Sequence, residues 1–173
     1  MTMRFVQGDA TAPASEGPKV IVHVCNDIGK WGKGFVLAIS RRWKEPERVF
    51  KASFKALSPP VLGDVQFVSV EPSIIVANLI GQHGVATKAS TTPPVRYDAI
   101  AEGLAKVAEH ARTNGASVHM PRIGCGLAGG DWSMIEPIIA GTLTKSGVDV
   151  TVYDFAADRT PTCGELAGGC HRH

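Results

Sequence analysis

Six short runs of apolar and β-branched residues recur along the chain, and stretches with a helical period separate them. Several of these runs are continuously apolar rather than alternating, which is typical of strands covered by helices on both faces. The runs lie at residues 3–7, 20–24, 65–70, 74–79, 117–120 and 148–155. We therefore expect a sheet buried between two helical layers.

Four stretches between these runs carry apolar residues at helical spacing. They lie at residues 35–43, 46–57, 97–114 and about 133–146. The third stretch has the clearest signal, because one apolar stripe follows it and Asn114-Gly115 supplies a stop signal at its end. The alternation of strands and helices predicts an α/β fold of the three-layer α/β/α sandwich type.

The chain of 173 residues has the size of one domain. We assign residues 1–155 to that domain. Residues 156–173 lose all periodicity and are rich in Gly, Thr and Cys, so we expect a flexible tail outside the fold. A long polar loop at residues 81–94 interrupts the domain, and loops of this length are usually functional or mobile.

Charge and hydropathy exclude several classes of protein. Lys and Arg number 18 against 16 Asp and Glu, and they are scattered, so direct nucleic-acid binding is not expected. No apolar run approaches the roughly 18 residues of a membrane span, and the first ten residues lack the build of a signal peptide. The four cysteines form no disulfide framework. We expect a cytoplasmic monomer with reduced thiols and no membrane partner.

Two glycine-rich segments stand where a strand is followed by a helix: the first loop, residues 26–34, and the second loop, residues 121–130. Glycine lets the backbone turn tightly and brings N–H groups close to a ligand, while the helix start adds partial positive charge. Open α/β sheets bind ligands at the carboxyl ends of their strands. The two loops together predict a cradle for a diphosphate, although each alone could merely form a tight turn.

The second loop also contains the pattern G-x-G-x-x-G at Gly124, Gly126 and Gly129. In a dinucleotide-binding domain this pattern belongs to the first strand–helix unit, with several strands still to follow. Only one predicted strand follows it here. A nicotinamide-dependent oxidoreductase is therefore the least favoured interpretation, and we expect no cofactor.

Five segments carry a resemblance to a known family. They are Gln7-Gly8-Asp9-Ala10-Thr11, His23-Val24-Cys25-Asn26, Trp31-Gly32-Lys33-Gly34, Met120-Pro121-Arg122-Ile123-Gly124-Cys125-Gly126-Leu127 and Val150-Thr151-Val152-Tyr153. In this order, the sequence resembles a macrodomain from about residue 3 to residue 155. Within that family it is most similar to the branch of terminal ADP-ribose protein glycohydrolase and yeast ADP-ribose phosphatase.

The resemblance implies a six-stranded mixed sheet and a cleft for ADP-ribose. It implies that the adenine lies against Asp9, Ala10, Tyr153 and Phe155. It implies that the diphosphate lies against Ile123, Gly124, Cys125, Gly126 and Leu127. It implies that the distal ribose, the one remote from adenine, lies against Asn26, Gly32, Lys33, Gly34 and Phe35, with Trp31 nearby.

Each of the side-chain roles also has a plainer alternative. A carboxylate such as Asp9 can accept from an exocyclic amine, but after a strand it can equally form a turn or a helix cap. Tyr153 can offer a stacking face or can be an ordinary strand aromatic. Trp31, between polar and glycine residues, is either a lid over the cleft or a packing anchor, and we favour the lid.

The sequence departs from this branch at two positions. The glycohydrolase works through a lysine just after the fourth strand and an aspartate directly after the Gly-Cys-Gly-Leu run. Here Gln82 and His83 follow the fourth strand, and Ala128 follows Leu127. Gln82 cannot attack a ribose carbon as an amine would, so a covalent lysine mechanism is not supported.

Two nearby residues could replace the missing lysine and aspartate only if the loops that carry them rearrange locally. Lys88 lies six positions beyond Gln82, which makes its use unfavoured. Asp131 could either point a carboxylate at the distal ribose or cap the next helix, where Ser133 and Glu136 offer a competing capping box.

We predict a metal-independent ADP-ribosyl-protein hydrolase that removes mono-ADP-ribose from acidic side chains of proteins. A carboxylate is a good leaving group, so a positioned water and polarisation suffice. Gln82 or His83 would orient the water, and Asp131 completes the catalytic set. The alternatives are a reader that binds ADP-ribose without chemistry and an ADP-ribose 1''-phosphate phosphatase.

The remaining histidines and cysteines receive structural interpretations. We expect His23 to be a core histidine bonded to backbone, and Cys25 to be a packing residue. In the tail, four possible metal ligands occur at Cys163, Cys170, His171 and His173. Their spacing matches no standard zinc motif, so disorder is the favoured interpretation.

Overall fold

A computed structural model describes residues 3–87 and 92–154 of the chain. Its strands are β1 (Met3–Gln7), β2 (Lys19–Asn26), β3 (Val65–Glu71), β4 (Ile74–Gln82), β5 (Ser117–Met120) and β6 (Val150–Asp154). Its helices are α1 (Phe35–Arg42), α2 (Glu45–Ser53), α3 (Tyr97–Asn114) and α4 (Trp132–Ile139), and a π-helical turn, Ala140–Thr144, extends α4.

The six strands form one mixed sheet in the order β1-β6-β5-β2-β4-β3. Every neighbouring pair is parallel except β3 and β4, which are antiparallel and join through a short turn. β2 therefore lies at the centre, flanked by β5 and β4. The predicted three-layer α/β/α sandwich with a six-stranded mixed sheet is confirmed.

The alternation of side chains along β2 explains why helices cover both faces. Val20 and Val22 point into the larger core, which α3 and α4 complete with residues such as Leu104 and Ile135. Ile21 points the other way, into a second core that contains Ile39 of α1 and the aromatic residues around it. A strand with consecutive apolar residues, as at residues 20–22 of β2, must be buried on both sides.

Several element boundaries differ from the prediction; for example, β4 extends to Gln82 where the predicted strand ended at residue 79. The helix predicted over residues 46–57 ends at Ser53, where the backbone tightens and Phe54 N donates to the Lys51 carbonyl. The helix predicted over residues 133–146 begins one residue earlier and widens, because Lys145 N reaches back to the Ala140 carbonyl at 2.9 Å. The last strand begins at Val150, since residues 146–149 first turn through Gly147 at φ 84°.

Phe155, Lys88 and residues 156–173 lie outside the described part of the chain, so the expectations for them stay predictions. None of the described helices is long and apolar enough to cross a bilayer.

Candidate functional site

The parallel strands end side by side at one edge of the sheet, and a cleft of about 710 Å³ opens there. Along this edge the order is Asp9 after β1, Tyr153 on β6, Pro121 after β5, and Gln82 on β4. Neighbouring strands are about 4.8 Å apart, so the four steps from β1 to β4 span roughly 19 Å. The strand order thus makes a long groove with chemically different ends.

The second loop forms the middle of the cleft wall with its backbone. Gly124 has φ 73°, in the left-handed region that favours glycine, and its carbonyl accepts from Gly130 N at 2.7 Å. A Cβ on Gly126 would meet no atom within 4 Å, so this residue borders open space. The wall formed by this loop comprises Ile123, Gly124, Cys125, Gly126 and Leu127, with Pro121, Arg122 and Ala128 beside them.

The two loops meet across the cleft. Gly34, at φ 83°, precedes α1, and a Cβ built on it would lie 3.4 Å from Leu127 Cδ1. Lys33, Gly34 and Phe35 all line the cleft, so the start of α1 forms the opposite wall. The first residues of a helix present backbone N–H groups and partial positive charge, which suits an anion.

Asp9 lies in the cleft wall, and a turn holds its carboxylate. Its Oδ1 accepts from Thr11 N at 2.8 Å and from Thr11 Oγ1 at 2.7 Å. Arg42 donates to the same hydroxyl and lies 3.7 Å from Asp9 Oδ2. Of the two roles considered for Asp9, the turn is formed through Oδ1; Oδ2 retains lone pairs, and its contact with adenine stays a prediction.

Tyr153 also lines the cleft, and a buried histidine fixes its hydroxyl. His119 Nδ1 lies 2.7 Å from Tyr153 Oη, and its Nε2 lies 2.8 Å from Ser117 Oγ. Burial, with the positive charges of Lys19 and Arg4, lowers the pKa of His119 to about 4. The histidine is thus neutral at pH 7, and the tyrosine ring has a defined position.

Most of the first loop packs on itself rather than on the cleft. The Asn26 side chain donates to the Lys30 carbonyl and accepts from the N–H groups of Ile28 and Lys30, so it ties the loop together. Gly32 is exposed and outside the cleft wall. Asn26 and Gly32 are the predicted ribose contacts that the structure does not place at the cleft surface.

Trp31 is a packing anchor, and the preference for a lid was wrong. Its indole is 6% exposed, and Nε1 donates to Ser40 Oγ at 2.8 Å. The ring packs against Phe50 and edge-on against His23, each with ring centres 5.4 Å apart. A bulky aromatic beside glycine can turn into the core as easily as over a ligand, and the sequence did not distinguish the two.

The catalytic candidates divide between the cleft and its rim. Gln82 lines the cleft, and its Nε2 donates to the Gly84 carbonyl at 2.9 Å. His83 lies outside the wall and is exposed, but its Nδ1 is 2.8 Å from Asp27 Oδ2. No local pattern singles out Asp27, since its partner is 56 residues away.

Asp131 is the N-cap of α4. Its Oδ1 accepts from Ser133 N at 2.9 Å and from Ser133 Oγ at 2.8 Å, and these bonds lower the pKa of the carboxyl. It does not line the cleft, and the alternative capping box of Ser133 and Glu136 is not formed. Of the two roles considered for Asp131, the structure places it in the capping one.

Sequence reasoning missed an ion pair in the cleft wall. Arg122 donates to both carboxylate oxygens of Asp154, at 2.7 and 2.9 Å, and both residues line the cleft. The Arg122 guanidinium lies over the rings of both Phe5 and Trp132, 5.1 and 4.9 Å from their centres. Only the fold brings together these residues from β1, β6, the second loop and the start of α4.

Neither His23 nor the two described cysteines, Cys25 and Cys125, is placed for nucleophilic or acid–base chemistry. His23 is buried, and its Nε2 lies 2.6 Å from Asn78 Oδ1, so its partner is a side-chain amide and not the predicted backbone. Burial lowers the pKa of His23 to about 4 and raises the pKa of the Cys25 thiol. Burial also raises the pKa of Cys125. Neither thiol is poised as a thiolate nucleophile at neutral pH.

Within residues 3–87 and 92–154, no three His, Cys, Asp or Glu side chains are grouped so that they could hold a metal ion.

No family model matches the chain.

Comparison with proteins of known sequence and structure gives clear relatives. A macrodomain protein from Streptomyces coelicolor is 54% identical, and the alignment covers 88% of this chain and 99% of that chain with a TM-score of 0.78. Chromodomain-helicase-DNA-binding protein 1-like from Mus musculus is 31% identical over 163 residues, or 89% of this chain. The chain spans only 18% of the length of that mouse protein.

A more distant structure shares the fold. DarTG from Thermosipho africanus, solved in complex with ADP-ribose, is 20% identical with a TM-score of 0.63. That alignment covers 85% of this chain and 40% of the other.

Proposed function

The chain belongs to the macrodomain family, and from this premise we propose that its cleft binds ADP-ribose and removes it from acidic side chains of proteins. The observation that carries the proposal is the order of groups along the sheet edge, where a carboxylate and an aromatic ring, a backbone cradle and a polar amide follow one another. DarTG of Thermosipho africanus, which has this fold, was solved with ADP-ribose bound.

The adenine end of the proposed site is at β1 and β6. Asp9 Oδ2 is an acceptor for the exocyclic amine, and the Tyr153 ring offers an apolar face to the base. Ala10 is buried beside them. These groups favour adenine over a base without an amino group. Such a base would leave Asp9 Oδ2 without a hydrogen-bond donor, which costs binding free energy.

The diphosphate lies in the middle, between the second loop and the start of α1. Backbone N–H groups of residues 123–127 and the helix start supply donors, and Lys33 supplies a positive charge at the cleft wall. The missing side chain at Gly126 leaves room for the phosphates to approach the backbone.

The distal ribose then falls at β2 and β4, next to Gln82. Because Gln82 Nε2 donates a hydrogen bond to the Gly84 carbonyl, Gln82 Oε1 is oriented as an acceptor that can hold a water. Water could attack the ribose carbon that bears the ester, and the protein carboxylate would leave. No lysine directly follows β4, so we propose direct hydrolysis without a covalent lysine intermediate.

One observation favours the second candidate function, a reader of ADP-ribosylated proteins. The related glycohydrolase branch has an aspartate where this chain has Ala128, and Ala128 is buried. Asp131, the nearest carboxylate in sequence, is engaged as a helix cap. Removal of phosphate from ADP-ribose 1''-phosphate has no comparable support.

A release assay separates these functions. A protein mono-ADP-ribosylated on glutamate is incubated with wild-type chain and with Gln82→Ala, and free ADP-ribose is measured by mass spectrometry. Calorimetry with ADP-ribose gives the affinity of both proteins. We expect release by the wild type, and a loss of about 10-fold or more in turnover with nearly unchanged affinity for Gln82→Ala.

Substrate linked through serine serves as the control, because its alkoxide is a poorer leaving group than a carboxylate. Binding of ADP-ribose without release from the glutamate-linked protein would favour the reader. Absence of any calorimetric binding would contradict both functions.

A further inference from the structure

Asp27 and His83 form a pair at the rim of the cleft, next to Gln82. The two residues follow neighbouring strands, since Asn26 of β2 is in register with Gln82 of β4. Asp27 N also donates to the Gln82 carbonyl at 3.0 Å, so backbone bonds hold the two strand ends together. The position of the pair is therefore set by the central part of the sheet.

Both carboxylate oxygens of Asp27 are engaged. Oδ2 lies 2.8 Å from His83 Nδ1, and Oδ1 accepts from Gly84 N at 2.8 Å. Partial burial acts to raise the pKa of Asp27, but the Gly84 N–H and His83 outweigh it and lower the pKa below its usual value. Asp27 is thus ionised at neutral pH.

An ionised carboxylate can only accept hydrogen bonds, so Nδ1 of His83 must carry the proton. When the ring carries this single proton, Nε2 keeps a free lone pair. The His83 side chain is 63% exposed, and the Asp27 side chain is 16% exposed. Among the described residues, Asp27 is the one carboxylate within 4.0 Å of this ring. The arrangement is that of a histidine base oriented by an aspartate.

We propose that His83 is the general base of the hydrolysis and that Asp27 is the positioning residue that fixes its tautomer and orientation; this inference rests on the proposed function. His83 lies one residue beyond Gln82, at the end of the cleft assigned to the distal ribose. The acidic side chain that carries ADP-ribose must leave the cleft here, so an exposed base is accessible to the ester.

The proposed step balances as follows. The oxygen of a water held by Gln82 forms a bond to the anomeric carbon of the distal ribose, and His83 Nε2 takes a proton from that water. The bond between the anomeric carbon and the ester oxygen breaks, and its electron pair leaves with the carboxylate. The products are ADP-ribose with a free anomeric hydroxyl and the unmodified acidic side chain, and His83 returns its proton to solvent.

The test compares wild type, Asp27→Asn, His83→Gln and the double variant in the glutamate-linked release assay across a pH series. We expect each single variant to lower kcat by about 10- to 100-fold, with KM and the ADP-ribose affinity almost unchanged. The double variant should be no slower than His83→Gln, because the two residues act as one unit. The dependence of kcat on pH should differ between the wild type and His83→Gln.

Chemical rescue separates catalysis from a structural role. Added imidazole should restore turnover to His83→Gly, since the site is exposed, and should restore less in the double variant Asp27→Asn/His83→Gly. Asp98→Asn, which changes an exposed acid in the first turn of α3, is the matched control and should match the wild type.

Several results would overturn the proposal. Turnover of Asp27→Asn equal to that of the wild type would do so. A fall in affinity or melting temperature with an unaltered pH profile and no rescue would mean that the pair merely clamps two loops. If the wild type releases ADP-ribose and the variants release it equally well, only this inference fails. If the wild type binds ADP-ribose but releases none, the proposed hydrolysis fails and the inference fails with it.

Discussion

The first and second loops are both rich in glycine and both follow a buried parallel strand, but they meet the cleft with different parts of the chain. In the second loop the backbone itself is the wall, and Gly126 borders open space. In the first loop the side chains of Asn26 and Trp31 turn back into the protein, and only residues 33–34 reach the cleft.

This difference shows that glycine content alone does not identify a ligand loop. A loop contributes its backbone to a ligand when its side chains are small and other elements support it from behind. A loop that carries a large aromatic residue is anchored by it, because the fold is more stable with the indole buried than with the indole in water. The experiments below test whether the loops are as different as the structure indicates.

Replacing Trp31 should have the largest effect, on stability. Trp31→Ala removes an indole packed against Phe50 and His23, and we expect it to lower the free energy of unfolding by about 3–5 kcal/mol. Trp31→Phe should lower the free energy of unfolding less, and its affinity for ADP-ribose should stay within about 3-fold of the wild-type value. Urea unfolding and calorimetry measure the two quantities. A Trp31→Phe protein of normal stability that binds poorly would restore the lid interpretation.

Lowering the pH below 6.5 should reduce the free energy of unfolding through two buried histidines on the strands that precede the loops. His23 lies on β2 and His119 on β5, and burial lowers the pKa of each from 6.5 to about 4. Above pH 6.5 both rings are neutral in the folded and unfolded chains, so they cause no pH dependence. Below pH 6.5 the unfolded chain binds protons that the folded chain accepts only near pH 4, so the free energy of unfolding falls across this window.

The loss through His23 should be on the order of 3 kcal/mol. Urea unfolding at several values between pH 7 and pH 4 measures it, and His23→Gln and His119→Gln should each flatten the profile. An unfolding free energy that stays constant from pH 6.5 to pH 4 would be inconsistent with neutral buried rings.

A bulky residue in the second loop should block the cleft without harming the fold. Gly126→Trp places a side chain where no atom lies within 4 Å of the new Cβ, and the ring should fill the diphosphate region. We expect the affinity for ADP-ribose to fall at least ~100-fold, or about 2.7 kcal/mol, at an unchanged melting temperature. Gly32→Trp in the first loop should weaken binding much less, because Gly32 is outside the wall.

Gly141→Trp is the control for this pair, since Gly141 also has free space around it and lies on the π-helical turn. Equal losses for Gly32→Trp and Gly126→Trp would remove the distinction between the loops. Undiminished binding by Gly126→Trp would contradict the assignment of the diphosphate.

The smallest effect is expected at the end of the second loop. Asp131→Ala removes the N-cap of α4 and should lower the melting temperature slightly, whereas Asp131→Asn should keep the cap. Neither change should alter turnover, which the glutamate-linked release assay measures. A marked fall in turnover at unchanged affinity would return Asp131 to the catalytic set.

The predicted site residues that the structure places in the cleft wall through their backbone share one property. Residues 123–127 and Gly34 follow a strand or precede a helix, so local pattern already places them at the carboxyl edge of the sheet. Side-chain direction was predicted less well. The orientation of Trp31 depends on Ser40 and Phe50, and that of Arg122 depends on Asp154, and no local rule links residues so far apart.

The sequence by itself determined the order of strands and helices, the two glycine-rich turns and the absence of a lysine directly after β4, because periodicity and residue identity are local properties. The tertiary structure decided which side chains face the cleft. It pairs Asp27 with His83 and Arg122 with Asp154. It also buries Trp31 and places Asp131 at the N-cap of α4. These outcomes depend on the parallel register of the sheet, which brings together residues that are distant along the chain.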